Sequence, residues 1–85
     1  MSSTMDLRYE ALQRLGFEGT TSDMLLQYWR SQGGVGEHIN DVWFSALGVL
    51  GRTEATLTDR WYAYLASLGY EGHVWDAEFL YWSNL

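Results

Sequence analysis

An aspartate recurs along this chain at nearly constant intervals, and that interval restricts the folds that the chain can adopt. The five aspartates are separated by 17, 18, 18 and 17 residues and are Asp6, Asp23, Asp41, Asp59 and Asp76. A glycine follows each of the first four by ten residues, at Gly16, Gly33, Gly51 and Gly69. An offset repeated four times indicates an internal repeat whose unit is one short structural element.

Each unit has the pattern of a helix followed by a tight connection. Thr56 lies three residues before Asp59, a spacing that is typical of a capping box at a helix start. The carboxylate also lies near the positive end of the helix dipole. Glycine can end a helix because it adopts the left-handed conformation without steric cost. We therefore predict that all five repeated aspartates are helix-capping residues.

The predicted helices are short. They run from Thr4 to Leu15, from Thr21 to Gln32, from Ile39 to Leu50, from Leu57 to Leu68 and from Val74 to the C-terminus. His38 and His73 occupy the cap position in the third and fifth units, and histidine caps a helix poorly, so these two helices should have weaker starts. Helices of about 11 residues hardly form alone in water, so their packing must stabilise them.

Apolar side chains recur three, six and nine residues after the acid. In the fourth unit these are Tyr62, Leu65 and Leu68, and the spacing predicts a stripe along each helix that packs against the other helices. The predicted fold is all-α, with five short helices in a single domain over residues 1–85. A compact bundle and a short helical stack both fit this pattern.

Glycines away from the helix ends have their own interpretation. Gly33, Gly34 and Gly36 surround Val35 and make the second connection the most flexible joint of the chain. Gly48 lies inside the third predicted helix, where it costs roughly 1 kcal/mol relative to alanine, and we expect it to mark a close helix crossing.

Composition argues against several classes of partner. The 85 residues carry a net charge of -6, and all five basic residues are arginines that are scattered along the chain. Nucleic acids and anionic membranes require a basic patch, and no apolar run reaches the roughly 18 residues of a membrane span. We expect neither nucleic acid nor membrane among the partners.

The candidate chemical groups favour structural roles over catalysis. The aspartates have the same place in every unit, whereas an active site needs its acids only once. His38 and His73 each precede an aspartate by three residues and could in principle join it in a zinc site, but they stand where serine or threonine caps the other units. We predict no catalytic residues, no metal site, no cofactor and no enzymatic activity.

Aromatic residues are the remaining candidates for a binding surface. The chain has five tryptophans, six tyrosines and three phenylalanines, more rings than a small core hides completely. Trp75 stands where the second, third and fourth units carry Ser22, Asn40 and Thr58. No following unit covers the last helix. The tyrosines five residues after an acid fit either the core margin or a contact surface. The predicted partner-binding residues are Trp75, Phe79, Tyr81, Trp82, Tyr28 and Tyr64.

The repeated text resembles a helical repeat of tailed bacteriophages. The segments LGFEGTTSDMLLQYW, GEHINDVWFSAL, ATLTDRWYAYLASLGYEG and VWDAEFLYW are similar to the repeat "LGYTGSLNDMLYAYL", which occurs in small proteins and protein tails encoded among virion genes. The resemblance extends from Asp6 to Trp82. The chain departs from the repeat at His38, at His73, and at Arg52-Thr53-Glu54, where an aromatic residue and a glycine are expected.

The resemblance implies a non-enzymatic structural protein of the virion. Such a module would dock onto a larger capsid, neck, tail or fibre protein through aromatic side chains, in particles assembled in the host cytoplasm. It would be present in several copies, and other copies of the chain are further candidate partners. An alternative hypothesis is a phage-encoded inhibitor that binds a host defence or nucleic-acid enzyme through an acidic surface. A small hydrolase or metalloenzyme is a third and weaker hypothesis.

Overall fold

The computed structural model describes residues 3–85, and within that range the chain forms five α-helices and no strand. They are α1 (Thr4–Arg14), α2 (Thr21–Ser31), α3 (Ile39–Val49), α4 (Leu57–Ser67) and α5 (Val74–Ser83). The predicted all-α fold is confirmed, and each helix begins at the predicted residue. The first four end one residue before the predicted last residue, which serves as the C-cap.

The helix starts follow the capping prediction to different degrees. In α1 the Ser3 hydroxyl accepts from the Asp6 amide while the Asp6 carboxylate accepts from the Ser3 amide, and α2 begins with the same reciprocal pair. In α4 the Thr56 hydroxyl accepts from the Asp59 amide without a reciprocal bond. Asp41 and Asp76 lie in the first turns of α3 and α5 but take part in no capping box. They are placed to interact with the helix dipole alone.

The weaker histidine caps are confirmed. His38 makes no side-chain hydrogen bond to α3, and His73 accepts from the Trp75 amide at 3.3 Å instead of from the amide of the acid. An imidazole ring is larger and less suitably placed than a hydroxyl for reaching the third amide of the helix.

The helix ends share one geometry in the first four units. The stop glycines all have positive φ, between 88° and 103°. The residue after each glycine donates back to the carbonyl five residues earlier, as Phe17 donates to Leu12 and Arg52 to Leu47. This pair of features is the Schellman motif. The third connection therefore keeps the common helix stop although Arg52 replaces the aromatic residue.

The five helices form a closed ring. Each helix packs against the next one in the chain, and α1 packs against α5. The Cα atoms extend over 32 × 31 × 15 Å, and the shortest of these dimensions is close to the length of one 11-residue helix, roughly 16 Å. The repeat pattern fits both a compact bundle and a helical stack. An open stack would leave its terminal helices uncovered, so the packing of α1 against α5 shows a closed bundle.

Residues at equivalent repeat positions contact each other between neighbouring helices. Trp43 and Trp61, each two residues after its acid, have ring centroids 5.1 Å apart, and Tyr64 and Tyr81, each five residues after, are 6.2 Å apart. The C-caps of α1, α2, α4 and α5 line one cleft, so these four C-terminal ends lie on the same side of the ring, the C-terminal face.

The buried side of each helix differs from the predicted stripe. Residues five and six positions after the acid fill the core, including Ala11, Leu12, Tyr28, Trp29, Ala46, Leu47, Tyr81 and Trp82. The predicted position three residues after the acid is wrong for Tyr9, Tyr62 and Phe79, which are exposed. A helix in a closed ring contacts two neighbours and the ring centre, so its buried arc is rotated away from that position.

Both of the unusual glycines have packing roles. Gly34 is buried, and a Cβ built there would lie 2.2 Å from the Val42 carbonyl oxygen, so close contact with α3 requires this glycine. The carbonyl and amide of Val35 are both hydrogen-bonded to the Ser45 hydroxyl, which holds the second connection on α3. At Gly48 a Cβ would lie 2.8 Å from Arg60 Nη1. The close contact predicted there is therefore made by a side chain of α4.

Candidate functional site

The outer surface of α5 carries two exposed aromatic residues one turn apart. Trp75 is 64% exposed and Phe79 is 42% exposed. Residues four apart lie on the same side of a helix, so the two rings share one patch. Leu80 next to Phe79 is also exposed and extends the apolar surface. The structure thus leaves two of the six predicted partner-binding residues accessible.

The patch continues onto α1, which packs against α5. Met5 and Tyr9 have the same repeat positions as Trp75 and Phe79 and are exposed as well. Arg8 and Glu78, each two residues after its acid, form an ion pair between these two helices, so equivalent positions of α1 and α5 lie near each other. We name the surface formed by Met5, Tyr9, Trp75, Phe79 and Leu80 the rim patch.

Three of the predicted binding residues are instead part of the core. Tyr28 and Tyr81 are 5% exposed and Trp82 is 2% exposed. The expectation that no unit covers the last helix is wrong, because ring closure places α1 against α5. The rings of Tyr28 and Trp82 approach to 5.7 Å, and those of Tyr81 and Trp61 to 5.1 Å.

The sixth predicted residue, Tyr64, is half-buried and lines a cleft. This cleft is bordered by the C-terminal ends of α1, α2, α4 and α5. The cleft has a volume of about 460 Å³. We name it the C-terminal cleft, and its lining residues are Leu15, Phe17, Tyr28, Ser31, Gln32, Tyr64, Leu68, Tyr70, Tyr81, Asn84 and Leu85.

Three tyrosine hydroxyls in this cleft, those of Tyr28, Tyr64 and Tyr81, stay protonated at neutral pH. Burial raises the pKa of Tyr28, Tyr64 and Tyr81 above its ordinary value, because a phenolate loses its hydration there. The hydroxyl oxygens of Tyr28 and Tyr81 are 2.5 Å apart and share a hydrogen bond at the buried end of the cleft. The cleft therefore offers neutral hydroxyls and aromatic rings.

Sequence reasoning missed this cleft although a signal was present. Its lining comes from the same few repeat positions, five, eight, nine and eleven residues after the acid. Tyrosine recurs at the first of these in three units, and an aromatic residue recurs at the last in Phe17 and Tyr70. Closure of the ring brings these positions together.

A smaller cleft of about 160 Å³ is lined by residues of α1, α2, α3 and α5. Arg8 and Glu78 form a loose ion pair there, with 3.9 Å between Nη1 and Oε1. The same Glu78 oxygen accepts from the Trp82 indole at 3.2 Å. Within residues 3–85, no acceptor reaches the buried Arg8 Nε or the buried Trp43 Nε1, so this cleft suits a hydrogen-bond acceptor such as water.

The repeated aspartates do not converge on a site. All five are exposed, and each lies at the start of its own helix. His38 and His73 are exposed as well. In the described part of the chain, no three histidine or acidic side chains are close enough together to hold a metal ion. The exposed carboxylates add negative charge to the surface.

Comparison with known proteins identifies no relative: no family model, curated protein or solved structure matches this chain. Of the helices between residues 3 and 85, none has the length and apolar character needed to cross a bilayer.

Proposed function

We propose that this protein is a non-enzymatic structural protein of a bacteriophage particle, which docks onto a larger capsid, neck, tail or fibre protein. The proposal joins the resemblance of the repeated text to phage virion repeats with the rim patch. The observation that carries it is Trp75, a tryptophan 64% exposed at a position where the second, third and fourth units carry serine, asparagine and threonine. An accessible tryptophan contributes nothing to the core.

The composition of the rim patch suits a docking surface. Tryptophan and tyrosine are among the residues that most often dominate binding energy at interfaces, at about 2 kcal/mol or more each. Trp75, Phe79 and Tyr9 lie on helices, whose backbone is already ordered before binding. Binding therefore costs little backbone entropy at these residues. Several copies arranged around a particle axis would multiply a modest affinity.

The test is incorporation of the protein into particles. Trp75→Ala should reduce the amount that co-purifies with virions at least about tenfold, whereas Val49→Ala, which shortens an exposed apolar residue of α3, should not. Both variants must keep the circular dichroism of the parent. Absence of the parent protein from purified virions, measured by mass spectrometry, would contradict the proposal.

The alternative function, inhibition of a host defence or nucleic-acid enzyme, is favoured by one observation. The five aspartates are exposed, one at the start of each helix. Exposed carboxylates of this kind could resemble the phosphates of a nucleic acid. Asp41 and Asp76 take part in no capping box, so their replacement disturbs folding least.

The double variant Asp41→Asn and Asp76→Asn separates the two functions. If the protein inhibits a host enzyme, the variant should bind that enzyme more weakly and with a smaller dependence on salt concentration. If the protein docks through the rim patch, its incorporation into virions should be unchanged. A pull-down from host lysate and the virion assay, carried out on the same preparation, give opposite results for the two hypotheses.

A further inference from the structure

We propose that the C-terminal cleft binds the guanidinium group of an arginine side chain presented by a protein partner. The cleft lies on the C-terminal face and does not include the rim patch, so the inference does not depend on the proposed virion location. It rests on three features of the cleft: its uncharged aromatic lining, the polarity of the surrounding helix ends, and its hydrogen-bond acceptors.

The lining attracts a cation and contains no cation of its own. Within the described residues, none of the side chains that line the cleft is charged. Phe17, Tyr64 and Tyr70 are half-buried, so part of each ring remains accessible from the cleft. The face of an aromatic ring attracts a positive charge, and the attraction grows when the cation is removed from water.

The helix ends add to this preference. The last turns or C-caps of α1, α2, α4 and α5 border the cleft through Leu15, Gln32, Leu68 and Asn84. Each helix carries about half a negative charge at its C-terminal end. Four such ends around one opening favour a cation and disfavour an anion, and the net charge of -6 acts in the same direction.

The polar groups favour a guanidinium over an ammonium group. Ser31 and Asn84 line the cleft, and Asn84 Nδ2 donates to the Leu80 carbonyl at 2.8 Å, which leaves the amide oxygen as an acceptor. The neutral tyrosine hydroxyls offer further acceptor oxygens. A guanidinium has five donors in one plane and stacks on aromatic rings, so it can use acceptors and rings together.

The fold already holds one guanidinium, that of Arg60, between an aromatic ring and a backbone carbonyl. The guanidinium of Arg60 lies 3.6 Å from the centre of the Phe44 ring, and its Nη1 donates to the Phe44 carbonyl at 3.0 Å. Next to the C-terminal cleft, Arg14 Nη2 donates to the Leu85 carbonyl at 3.3 Å. An aromatic face combined with a backbone carbonyl is thus a guanidinium site that this fold already forms.

Nuclear magnetic resonance titrations of the full chain test the proposal. N-acetyl-L-arginine amide represents the side chain of a partner, and N-acetyl-L-citrulline amide has nearly the same shape without the charge. We expect amide shifts around Ser31, Tyr64 and Tyr70 with the arginine probe, and binding at least about tenfold weaker with the citrulline probe. Equal binding of the two probes, or shifts confined to other surfaces, would overturn the inference.

Two further probes define the chemical group and its source. N-acetyl-L-lysine amide should bind more weakly than the arginine probe, and binding as tight as that of arginine would overturn the preference for guanidinium. n-Propylguanidine carries the guanidinium without a peptide backbone and has the same single positive charge as the arginine probe. If n-propylguanidine bound more tightly than the arginine probe, the natural ligand would be a free small molecule and the assignment to a protein partner would be wrong.

Variants locate the binding. Tyr70→Leu removes an aromatic ring from the cleft and should weaken binding of the arginine probe at least about fivefold. Tyr62→Leu, which changes an exposed tyrosine outside the cleft lining, should leave binding unchanged. Tyr64→Phe keeps the ring and provides a second variant if Tyr70→Leu loses its dispersed spectrum. A folded Tyr70→Leu protein with unchanged affinity would contradict the proposal.

Discussion

Single residues in this protein are constrained chiefly where another part of the chain approaches the backbone. The contrast between Gly34 and Gly48 shows this. A Cβ at Gly34 would lie 2.2 Å from the Val42 carbonyl oxygen and 2.8 Å from that of Trp29, two groups of rigid backbone. A Cβ at Gly48 would meet only the guanidinium of Arg60, at the end of a flexible side chain. The same change should therefore have different consequences at the two positions.

We predict that Gly34→Ala lowers the free energy of unfolding by about 2–3 kcal/mol, because the second connection must move away from α3. Gly48→Ala is the matched control. Its gain in helix propensity of roughly 1 kcal/mol offsets the displacement of Arg60, so the net change should stay below about 1 kcal/mol in either direction. Urea unfolding followed by tryptophan fluorescence measures both, and equal effects would show that the Gly34 contact is not limiting.

The pair of Arg52 and Glu54 makes a second prediction at this scale. Arg52 Nε donates to Glu54 Oε1 at 3.0 Å, and this contact lowers the pKa of the Glu54 carboxyl to about 2. The folded-state pKa lies below the unfolded one, so the pair stabilises the fold above the unfolded pKa. The contribution is lost as the pH falls towards 2.

Carboxyl chemical shifts followed from pH 7 downwards should give a Glu54 pKa of about 2 in the parent protein. In Arg52→Ala the pKa of the Glu54 carboxyl should return towards its ordinary value of 4.5. A Glu54 pKa unaffected by Arg52→Ala would show that the ion pair does not form in solution.

At the scale of the helices, the repeat pattern allowed the boundaries to be predicted from local chemistry alone. A hydroxyl, an aspartate three residues on and a glycine ten residues after that specify a start and a stop. In α3 and α5, where a histidine stands at the cap, the spacing of the aspartates still predicted the first residue of the helix. The face that each helix buries was not predictable in the same way, since Tyr9, Tyr62 and Phe79 fit an apolar stripe yet lie outside.

The uneven caps predict that α3 can be stabilised at its start. His38 makes no side-chain bond to the helix, so His38→Thr should add a capping hydrogen bond worth about 0.5–1 kcal/mol and raise the melting temperature by a few degrees. Thr20→Ala, which removes the capping box of α2, should cost about 1 kcal/mol. Differential scanning calorimetry compares the two, and a His38→Thr protein that melts no higher than the parent would contradict the assignment of His38 as a deficient cap.

At the scale of the whole molecule, closure of the ring distinguishes this fold from an open helical array. In an open array each unit contacts only its neighbours in the chain, and a terminal unit has one exposed side. Here α1 and α5 pack together, and Tyr28 of α2 shares a hydrogen bond with Tyr81 of α5. All five helices therefore contribute to one core, and their unfolding should be a single cooperative transition.

A circular permutant tests ring closure directly. Three residues added between Leu85 and Met1 would place Asp6 18 residues after Asp76, which is the spacing of the natural units. A new terminus between Glu18 and Gly19 opens an exposed connection. We expect this permutant to fold with the helix content of the parent and to unfold in one transition. A permutant that stays unfolded would show that α1 and α5 are not neighbours.

The amino-acid sequence by itself determined where the helices begin and end, because caps and stop glycines act through groups only a few residues apart. The tertiary structure decided which rings remain outside. Tyr28, Tyr81 and Trp82 appeared available for a partner until closure of the ring covered them, while Trp75 and Phe79 stayed accessible. It also created the C-terminal cleft, whose lining residues are spread from Leu15 to Leu85. The physical reason is that burial depends on contacts between distant segments, which local spacing does not record.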